Sequence, residues 1–184
     1  MKHLGTKTIE TPRLILRKFT LADAEQMYEN WASDPEVAAF LTWTAHKNSE
    51  ETKAILSSWI PLYQKDNFYN WAMVLKQSGE VIGNVSVVSI DEEVSEAAMG
   101  YCMGRAYWGQ GIMPEALTAV IDFLFDKVGF ERVSACHDHR NPKSGRVMQK
   151  VGMTYEGTLR QGGKSTSGIC DKVCYAVLRG DRNN

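Results

Sequence analysis

The sequence predicts a mixed α/β fold in which helices pack on a central sheet. Two patterns of apolar residues carry this prediction. Three strand-like segments lie in the middle of the chain, at 71–75, 81–90 and 97–103, and helical i, i+3, i+4, i+7 spacing follows them. A chain in which both periods alternate forms a sheet with helices packed on it.

The N-terminal part is predicted to contribute one strand and two helices. The strand covers 14–17, where three apolar residues precede an arginine. Thr20 is the expected N-cap of the first helix, because an acidic residue follows three positions later. Asn48 caps the second helix with Glu51 at the capping-box position, and Pro61 is expected to bend or end it.

The clearest helix lies in the C-terminal half. Apolar residues from Leu117 to Val128 follow the helical template, and Gly129 stands where the helix should stop. The remaining predicted elements alternate between strand and helix: a strand at 132–137, a helix from Asn141 and Pro142, and strands at 153–159 and 173–178.

Composition limits the class of protein. The chain has 184 residues with 43% hydrophobic and 23% charged residues, which predicts one soluble globular domain over residues 1–184. The net charge of -1 provides no overall positive field for nucleic acid or acidic membranes. The start of the chain lacks a secretory signal, and no apolar run reaches the ~20 residues that span a bilayer. We expect a cytoplasmic protein with neither nucleic acid nor membrane as a partner.

The four cysteines are interpreted as free thiols. They lack the paired C-x-x-C spacing of zinc sites, and an unsecreted chain of this size usually keeps its thiols reduced. We therefore predict no metal. A metal site or a disulfide at Cys170 and Cys174 is the alternative interpretation.

The segment from Gly104 to Glu115, GRAYWGQGIMPE, has the features of an anion-binding loop. A helix start leaves about four backbone N–H groups unpaired, and here they follow a Gly-x-Gly turn that admits a ligand close to the backbone. A glycine turn solvated by water is the alternative. The segment has neither the lysine of a P-loop nor a G-x-G-x-x-G pattern, which leaves a pyrophosphate held without lysine or magnesium, as in coenzyme A.

The motifs GYCMG, YWGQGIMPEAL, RNPKSGRVMQKVGM and YEG, between Gly100 and Gly157, resemble those of the GNAT acetyltransferases, and within them the ribosomal-protein N-terminal acetyltransferases. ETPRLILRKF and WASDPEVAAFLTW resemble the opening of that branch, and GICDKVCYAVL resembles its closing strand. The resemblance covers nearly the whole chain. It implies a GNAT-type acyl-CoA N-acyltransferase fold, with a mostly antiparallel twisted sheet flanked by helices, and an amine N-acetyltransferase that uses acetyl-CoA.

The resemblance also implies the cofactor site. The strand before the loop should splay from its neighbour and carry the pantetheine arm on its backbone, the loop should hold the pyrophosphate, and the next helix start should complete the site. The residues implied are Tyr101, Cys102, Met103, Trp108, Gly109, Gln110, Gly111, Ile112, Met113, Asn141, Lys143 and Ser144. A simple helix cap at Asn141 with a neighbouring exposed serine is the alternative. Arg140, Lys143, Arg146 and Lys150 could meet the adenosine phosphates or form a solvated helix face.

Three residues are candidates for proton transfer. The resemblance implies that Ser144 protonates the leaving thiolate. Glu156 and His137 are candidate bases, with a solvent-facing carboxylate and a hydrogen-bonded strand-end histidine as the alternatives. The chain departs from its relatives at Ala98, where many carry a glutamate, and at Met113, which is predicted to crowd the pyrophosphate turn.

The favoured acceptor is a protein or peptide N-terminus, including that of a ribosomal protein. An α-amine has a pKa of roughly 7.7–8.0 and is partly neutral near pH 7, whereas a lysine amine near 10.4 needs a stronger base. A polyamine or an amine antibiotic is the alternative acceptor, and a homodimer is compatible with the sequence. A non-catalytic module that binds acetyl-CoA as a sensor is the alternative from another class.

Overall fold

The eight strands of the protein form one sheet in the order β1-β2-β3-β4-β5-β6-β8-β7 in the computed structural model, which describes residues 1–183. Every neighbouring pair is antiparallel except β5 and β6, which run parallel. The strands are β1 (Ile9–Glu10), β2 (Leu14–Arg17), β3 (Asn70–Leu75), β4 (Val81–Asp91), β5 (Glu96–Met103), β6 (Arg132–Asp138), β7 (Thr154–Ser165) and β8 (Gly168–Leu178). The predicted mixed fold with a mostly antiparallel sheet is confirmed.

Five α-helices and several shorter helical turns flank the sheet. The helices are α1 (Ala24–Met27), α2 (Pro35–Ala38), α3 (Ser49–Trp59), α4 (Ile112–Phe123) and α5 (Pro142–Lys150). Helix α1 begins after a 3-10 turn at Leu21–Asp23 and continues as a π-helical turn at Tyr28–Ala32, and α4 continues as a π-helical turn at Leu124–Val128. Further 3-10 turns lie at Ile60–Gln64, Arg105–Tyr107 and Arg179–Asn183.

Local signals set the helix ends where they were predicted. The Asn48 side chain accepts a hydrogen bond from the Glu51 amide at 3.0 Å, and α3 gives way to the 3-10 turn just before Pro61. Gly129, with φ at 95°, ends the helical segment that begins with α4. A residue in this left-handed conformation is most often glycine, because a side chain there clashes with the backbone.

The two faces of the sheet carry separate hydrophobic cores. Helices α4 and α5 cover one face over a cluster that includes the fully buried Trp71 and Leu117. Helices α1 and α3 cover the other face over a smaller cluster around Trp31 and Leu56. Since successive side chains of a strand point to opposite faces, β2, β3 and β4 contribute to both cores.

The structure differs most from prediction at the last two strands. They were expected at 153–159 and 173–178, but β7 and β8 run on to form a long hairpin with its tip at 166–167. Register shifts between Tyr155 and Gly157 and between Leu159 and Gly163 let the pair continue past irregular residues. The hairpin thereby extends beyond the end of β6.

Candidate active site

The centre of the sheet opens into a gap between β5 and β6. Their parallel pairing runs from Glu96 with Arg132 only to Met99 with Ala135. Beyond that pair, residues 100–103 of β5 keep β4 as their partner on one edge but have no strand on the other. The backbone along this edge is available to a ligand, at the strand segment for which the splay was predicted.

The loop after β5 presents a row of free backbone donors. Among residues 1–183, no protein group accepts a hydrogen bond from the five backbone N–H groups between Gly109 and Met113. Gly109 and Gly111 have φ values of 78° and 73°, a conformation that turns consecutive N–H groups toward one side. Because these donors lead into the twelve-residue α4 and include its first two residues, the loop fits a pyrophosphate without lysine or a metal ion.

Met113 does not crowd this loop, contrary to the prediction. Its side chain is 4% exposed and packs in the core cluster beneath α4. Only its backbone N–H belongs to the donor row. The methionine therefore holds the helix start against the sheet and leaves the anion side of the turn open.

An ion pair from the N-terminal part of the chain holds the loop in place. Arg13 donates from Nη1 to the Gln110 carbonyl at 2.9 Å and from Nε to Glu115 at 2.5 Å. Thr11 donates to the same carboxylate at 2.6 Å. These contacts fix both ends of the turn that carries the free donors, and the sequence offered no signal for them.

Trp108 joins the loop to the strand and to α5. Its indole Nε1 donates to the Met103 carbonyl at 2.8 Å, which closes the turn after β5. The Lys143 ammonium lies 5.0 Å from the centre of the indole ring, a cation–π contact. Arg140 pairs with Asp138 instead of joining the basic cluster, which leaves Lys143, Arg146 and Lys150 as the cations of α5.

The start of α5 brings a serine and a tyrosine together at the gap. Asn141 caps the helix, with its side-chain oxygen 3.4 Å from the Ser144 amide. The Ser144 Oγ lies 2.8 Å from the Tyr101 hydroxyl, which is also 3.1 Å from the Ser144 carbonyl. Burial raises the pKa of Tyr101, so the phenol stays protonated. The motif predicted only a backbone role for Tyr101, and nothing in the sequence pattern indicated this hydroxyl pair.

Cys102 points away from this pair, to the other face of the sheet. Its thiol donates to the Asn84 side-chain oxygen at 2.9 Å, and burial raises the pKa of the thiol to about 12. The side chain packs against the core cluster of α1 and α3. Cys102 thus contributes its backbone, and not its sulfur, to the edge of the gap.

Glu156 is not placed to act as the predicted base. Both of its carboxylate oxygens accept hydrogen bonds from the Arg132 guanidinium, at 2.6 and 2.5 Å, and this pair lowers the pKa of Glu156. Arg132 lies opposite Glu96 at the start of β5, whereas Tyr101 lies toward the other end of that strand. The prediction fails because Arg132 occupies both oxygens of Glu156 and because β8 and β6 separate β7 from the β5 edge of the gap.

His137 also lacks the setting of a free base. Its Nδ1 lies 2.8 Å from the Asp138 carbonyl, and its ring stacks on Tyr175. A Cβ atom added to Gly145 would lie 2.7 Å from the His137 Nε2, so this nitrogen abuts the backbone of α5. The ring supports the helix that carries Ser144, which matches the alternative interpretation of a hydrogen-bonded strand-end histidine.

A buried carboxylate organises the residues between β6 and α5. The Asp138 side chain is 1% exposed and accepts two hydrogen bonds from the Arg140 guanidinium, at 2.9 and 2.6 Å. The Ser165 hydroxyl donates to it at 3.0 Å, and the Asp138 carbonyl accepts from the Asn141 amide at 2.8 Å. Arg140 chiefly lowers the pKa of Asp138 to well below its usual range.

The tip of the β7–β8 hairpin contacts the segment after α2. The Thr166 hydroxyl donates to the Ala38 carbonyl at 2.7 Å, and the Ser167 hydroxyl donates to the Ala39 carbonyl at 2.6 Å. Residues near α2 are held beside the end of β5 by the Arg105–Asp34 ion pair. Since the hairpin tip lies beyond the end of β6, this contact spans the open end of the gap.

Two kinds of feature are absent from the part of the chain that the structure describes. Within residues 1–183, no helix is long and apolar enough to cross a bilayer. The same residues contain no group of three or more histidine, cysteine or acidic side chains that could hold a metal ion.

Comparison with known proteins places this chain in a family. The family model described as an acetyltransferase (GNAT) domain matches residues 13–154. The uncharacterized N-acetyltransferase p20 of Bacillus licheniformis is 29% identical over 94% of this chain and 97% of its own length. The ribosomal-protein-serine acetyltransferase of Escherichia coli is 30% identical over 75% of this chain and 76% of its own length.

A solved structure agrees with the fold. The microcin C7 self-immunity acetyltransferase MccE, in complex with acetyl-CoA and AMP, superposes with a TM-score of 0.83 over 91% of this chain and 93% of that chain. At 21% identity this likeness concerns the fold alone. The family match and the free donors of the loop agree with the coenzyme A ligand that the motifs predicted. The chain belongs to the GNAT family of acetyltransferases, and it is an amine N-acetyltransferase whose acetyl donor is acetyl-CoA.

Proposed function

We propose that this acetyltransferase modifies the N-terminal α-amine of a protein or peptide. The observation that carries the proposal is the setting of the candidate bases: Glu156 is bound to Arg132, and the ring of His137 is packed against α5. An enzyme without a strong base favours an amine that is already partly neutral. An α-amine with a pKa of roughly 7.7–8.0 meets this condition, and a lysine amine near 10.4 does not.

The acceptor approaches through the open end of the gap in this proposal. Thr166 and Ser167 of the hairpin tip and the segment 38–41 border that opening. A border made of two backbone segments in contact favours an acceptor that enters end-on, as a chain terminus does. The similarity to the ribosomal-protein-serine acetyltransferase of Escherichia coli supports the same class of acceptor.

The donor site is proposed from the loop and from the edge of β5. The N–H groups from Gly109 to Met113 would hold the pyrophosphate, and the backbone edge of Tyr101 to Met103 that faces the gap would hold the pantetheine arm. Asn141 and Lys143 would contact the arm and the adenosine phosphates from the start of α5. Acetyl-CoA supplies a thioester carbon that the amine attacks directly, with the two reactants held together by the protein.

Ser144 is the proposed proton donor, together with Tyr101. When the amine nitrogen bonds to the acetyl carbon, the carbon–sulfur bond breaks and the sulfur needs a proton. The Ser144 hydroxyl can give one as it takes one from the Tyr101 hydroxyl 2.8 Å away, and a proton from solvent restores Tyr101, so that both hydroxyls end protonated. The proton lost by the amine passes to solvent, since neither carboxylate bound to Arg132 is available.

The acceptor is tested by release of coenzyme A from acetyl-CoA with matched peptides. One peptide has a free N-terminal serine and no lysine, and its partner has a blocked N-terminus and one internal lysine. We expect turnover with the first peptide and little with the second. Spermidine and an aminoglycoside represent the small amines in the same assay. Turnover confined to the lysine peptide or to a small amine would contradict the proposal. Tight binding of acetyl-CoA without thiol release from any acceptor would indicate the sensor module instead.

The anchor of the loop gives a prediction about the donor. Arg13→Ala removes the hydrogen bond to the Gln110 carbonyl and the ion pair with Glu115. The loop then loses its fixed geometry, and we expect the Kd for acetyl-CoA to rise about tenfold, which corresponds to one charged hydrogen bond. Isothermal titration measures the change. Lys76→Ala, which removes the nearby ion pair with Glu10 at 2.9 Å, is the matched control and should leave the Kd unchanged. An equal rise in both variants would remove the assigned role of Arg13.

A further inference from the structure

Two cysteines face each other across neighbouring strands beside the gap. Cys136 of β6 and Cys174 of β8 are Cα partners in the antiparallel ladder. Their sulfur atoms lie 2.7 Å apart, and the Cys136 thiol donates to the Cys174 sulfur. The flanking residues Ala135 and Tyr175 pack in the core cluster of α4 and α5. The cysteine side chains therefore point to the opposite face of the sheet.

This pair is open to a small reagent, whereas the other two cysteines have separate surroundings. Cys136 and Cys174 are both half-buried, and β6 has no β5 neighbour beyond Ala135. The Cys102 thiol donates a hydrogen bond to the Asn84 side chain, and Cys170 is buried next to Asp138. The chain thus carries one adjacent pair of thiols and two isolated thiols, which serve as internal controls.

The two sulfurs of the pair are not equivalent. Burial, and then the contact with Cys174, raise the pKa of Cys136 to about 12. Cys136 therefore stays protonated, and its thiol donates a hydrogen bond to the Cys174 sulfur. Cys174 accepts this hydrogen bond and does not donate one to its partner, which makes its sulfur the candidate for the first attack on an oxidant. Among the charged groups near Cys136, Lys172 favours a thiolate there and Glu96 opposes it.

We propose that Cys136 and Cys174 form a site of reversible oxidation, at which a hydroperoxide converts the two thiols into a disulfide across β6 and β8. The Cys174 thiolate attacks the peroxide oxygen, the O–O bond breaks, and the leaving oxygen takes a proton to become water or an alcohol. The Cys136 sulfur then attacks the sulfenic sulfur of Cys174, the S–O bond breaks, and a second water leaves. The pair loses two electrons to the peroxide, and a dithiol reagent returns them.

The site is tested on the full chain with hydrogen peroxide as the oxidant. The protein is oxidised under native conditions, the remaining thiols are alkylated, and the products are mapped by mass spectrometry. We expect two of the four thiols to escape alkylation, a linked peptide that contains Cys136 and Cys174, and full recovery of the thiols with dithiothreitol. Cys102→Ser and Cys170→Ser should each leave this result unchanged.

Single variants of the pair test the assigned order of attack. In Cys136→Ser, Cys174 is expected to accumulate as a sulfenic acid that dimedone traps. In Cys174→Ser, Cys136 should remain a thiol at the same peroxide dose. Alkylation of all four thiols after oxidation, or a linked pair that includes Cys102 or Cys170, would overturn the proposal. Because every readout is a mass, the test of this oxidation site does not depend on the identity of the acceptor.

Discussion

Ser144→Ala is expected to lower kcat about a hundredfold while the Kd for acetyl-CoA stays within a factor of about two. The Ser144 hydroxyl is 2.8 Å from the Tyr101 hydroxyl beside the gap, where the sulfur of the donor would lie. General acids contribute about 10²–10⁴ in rate. A thiolate leaves more readily than an amine anion, since a thiol has a pKa of about 8.5, so the lower end of that range applies. Single-turnover kinetics with the best acceptor of the panel measures the chemical step.

A second variant separates the proton path from a local packing effect. Tyr101→Phe keeps the ring and removes the hydroxyl that would reprotonate Ser144. If the two hydroxyls act as a unit, the double variant is scarcely slower than either single variant, because coupled residues are not additive. Ser58→Ala, at an exposed serine of α3, is the control. Unchanged kcat in both Ser144→Ala and Tyr101→Phe would exclude this pair as the proton source.

The parts of the fold that depend on local chemistry could be predicted from the sequence. Asn48, Gly129 and Asn141 mark helix ends through groups within a few residues of one another, and each acts at the predicted position. The glycine loop belongs to the same class, because Gly109 and Gly111 define the turn by themselves. The β7–β8 hairpin could not be predicted in full. Its outer residues include Gly162, Gly163 and Gly168, which are typical of loops, and only pairing across the register shifts makes them strands.

The candidate site divides in the same way. The positions of Asn141 and Ser144 follow from a short motif, whereas the partner of Ser144 comes from a strand 43 residues earlier in the chain. The role of Glu156 depends on Arg132, a residue 24 positions away, which donates hydrogen bonds to both oxygens of its carboxylate. The sequence pattern shows neither that Tyr101 contacts Ser144 nor that Arg132 binds Glu156. Residues whose role depends on a tertiary contact therefore needed the structure.

Asp138→Asn is expected to destabilise the protein by about 3 kcal/mol, since it removes the charge from a buried carboxylate that binds Arg140 and Ser165. For a chain of this size the melting temperature should fall by roughly 6–12 °C. The same change loosens the link between the hairpin tip and the Asn141 cap, so acetyl transfer should fall as well. Asp66→Asn, at an exposed aspartate in the loop before β3, is the matched control and should melt like the wild type.

The pH dependence of the difference in melting temperature between Asp138→Asn and the wild type identifies the cause of the destabilisation. The pKa of Asp138 is held well below its ordinary value in the folded protein, chiefly by the hydrogen bond from Arg140. A lowered folded pKa contributes stability above the unfolded value of about 3.9, and this contribution is lost as the pH falls toward the folded pKa. The difference in melting temperature between wild type and Asp138→Asn should thus be largest at neutral pH and become smaller in strong acid. A constant difference in melting temperature across that pH range would mean that the shape of the carboxylate, and not its charge, holds β6, α5 and the hairpin together.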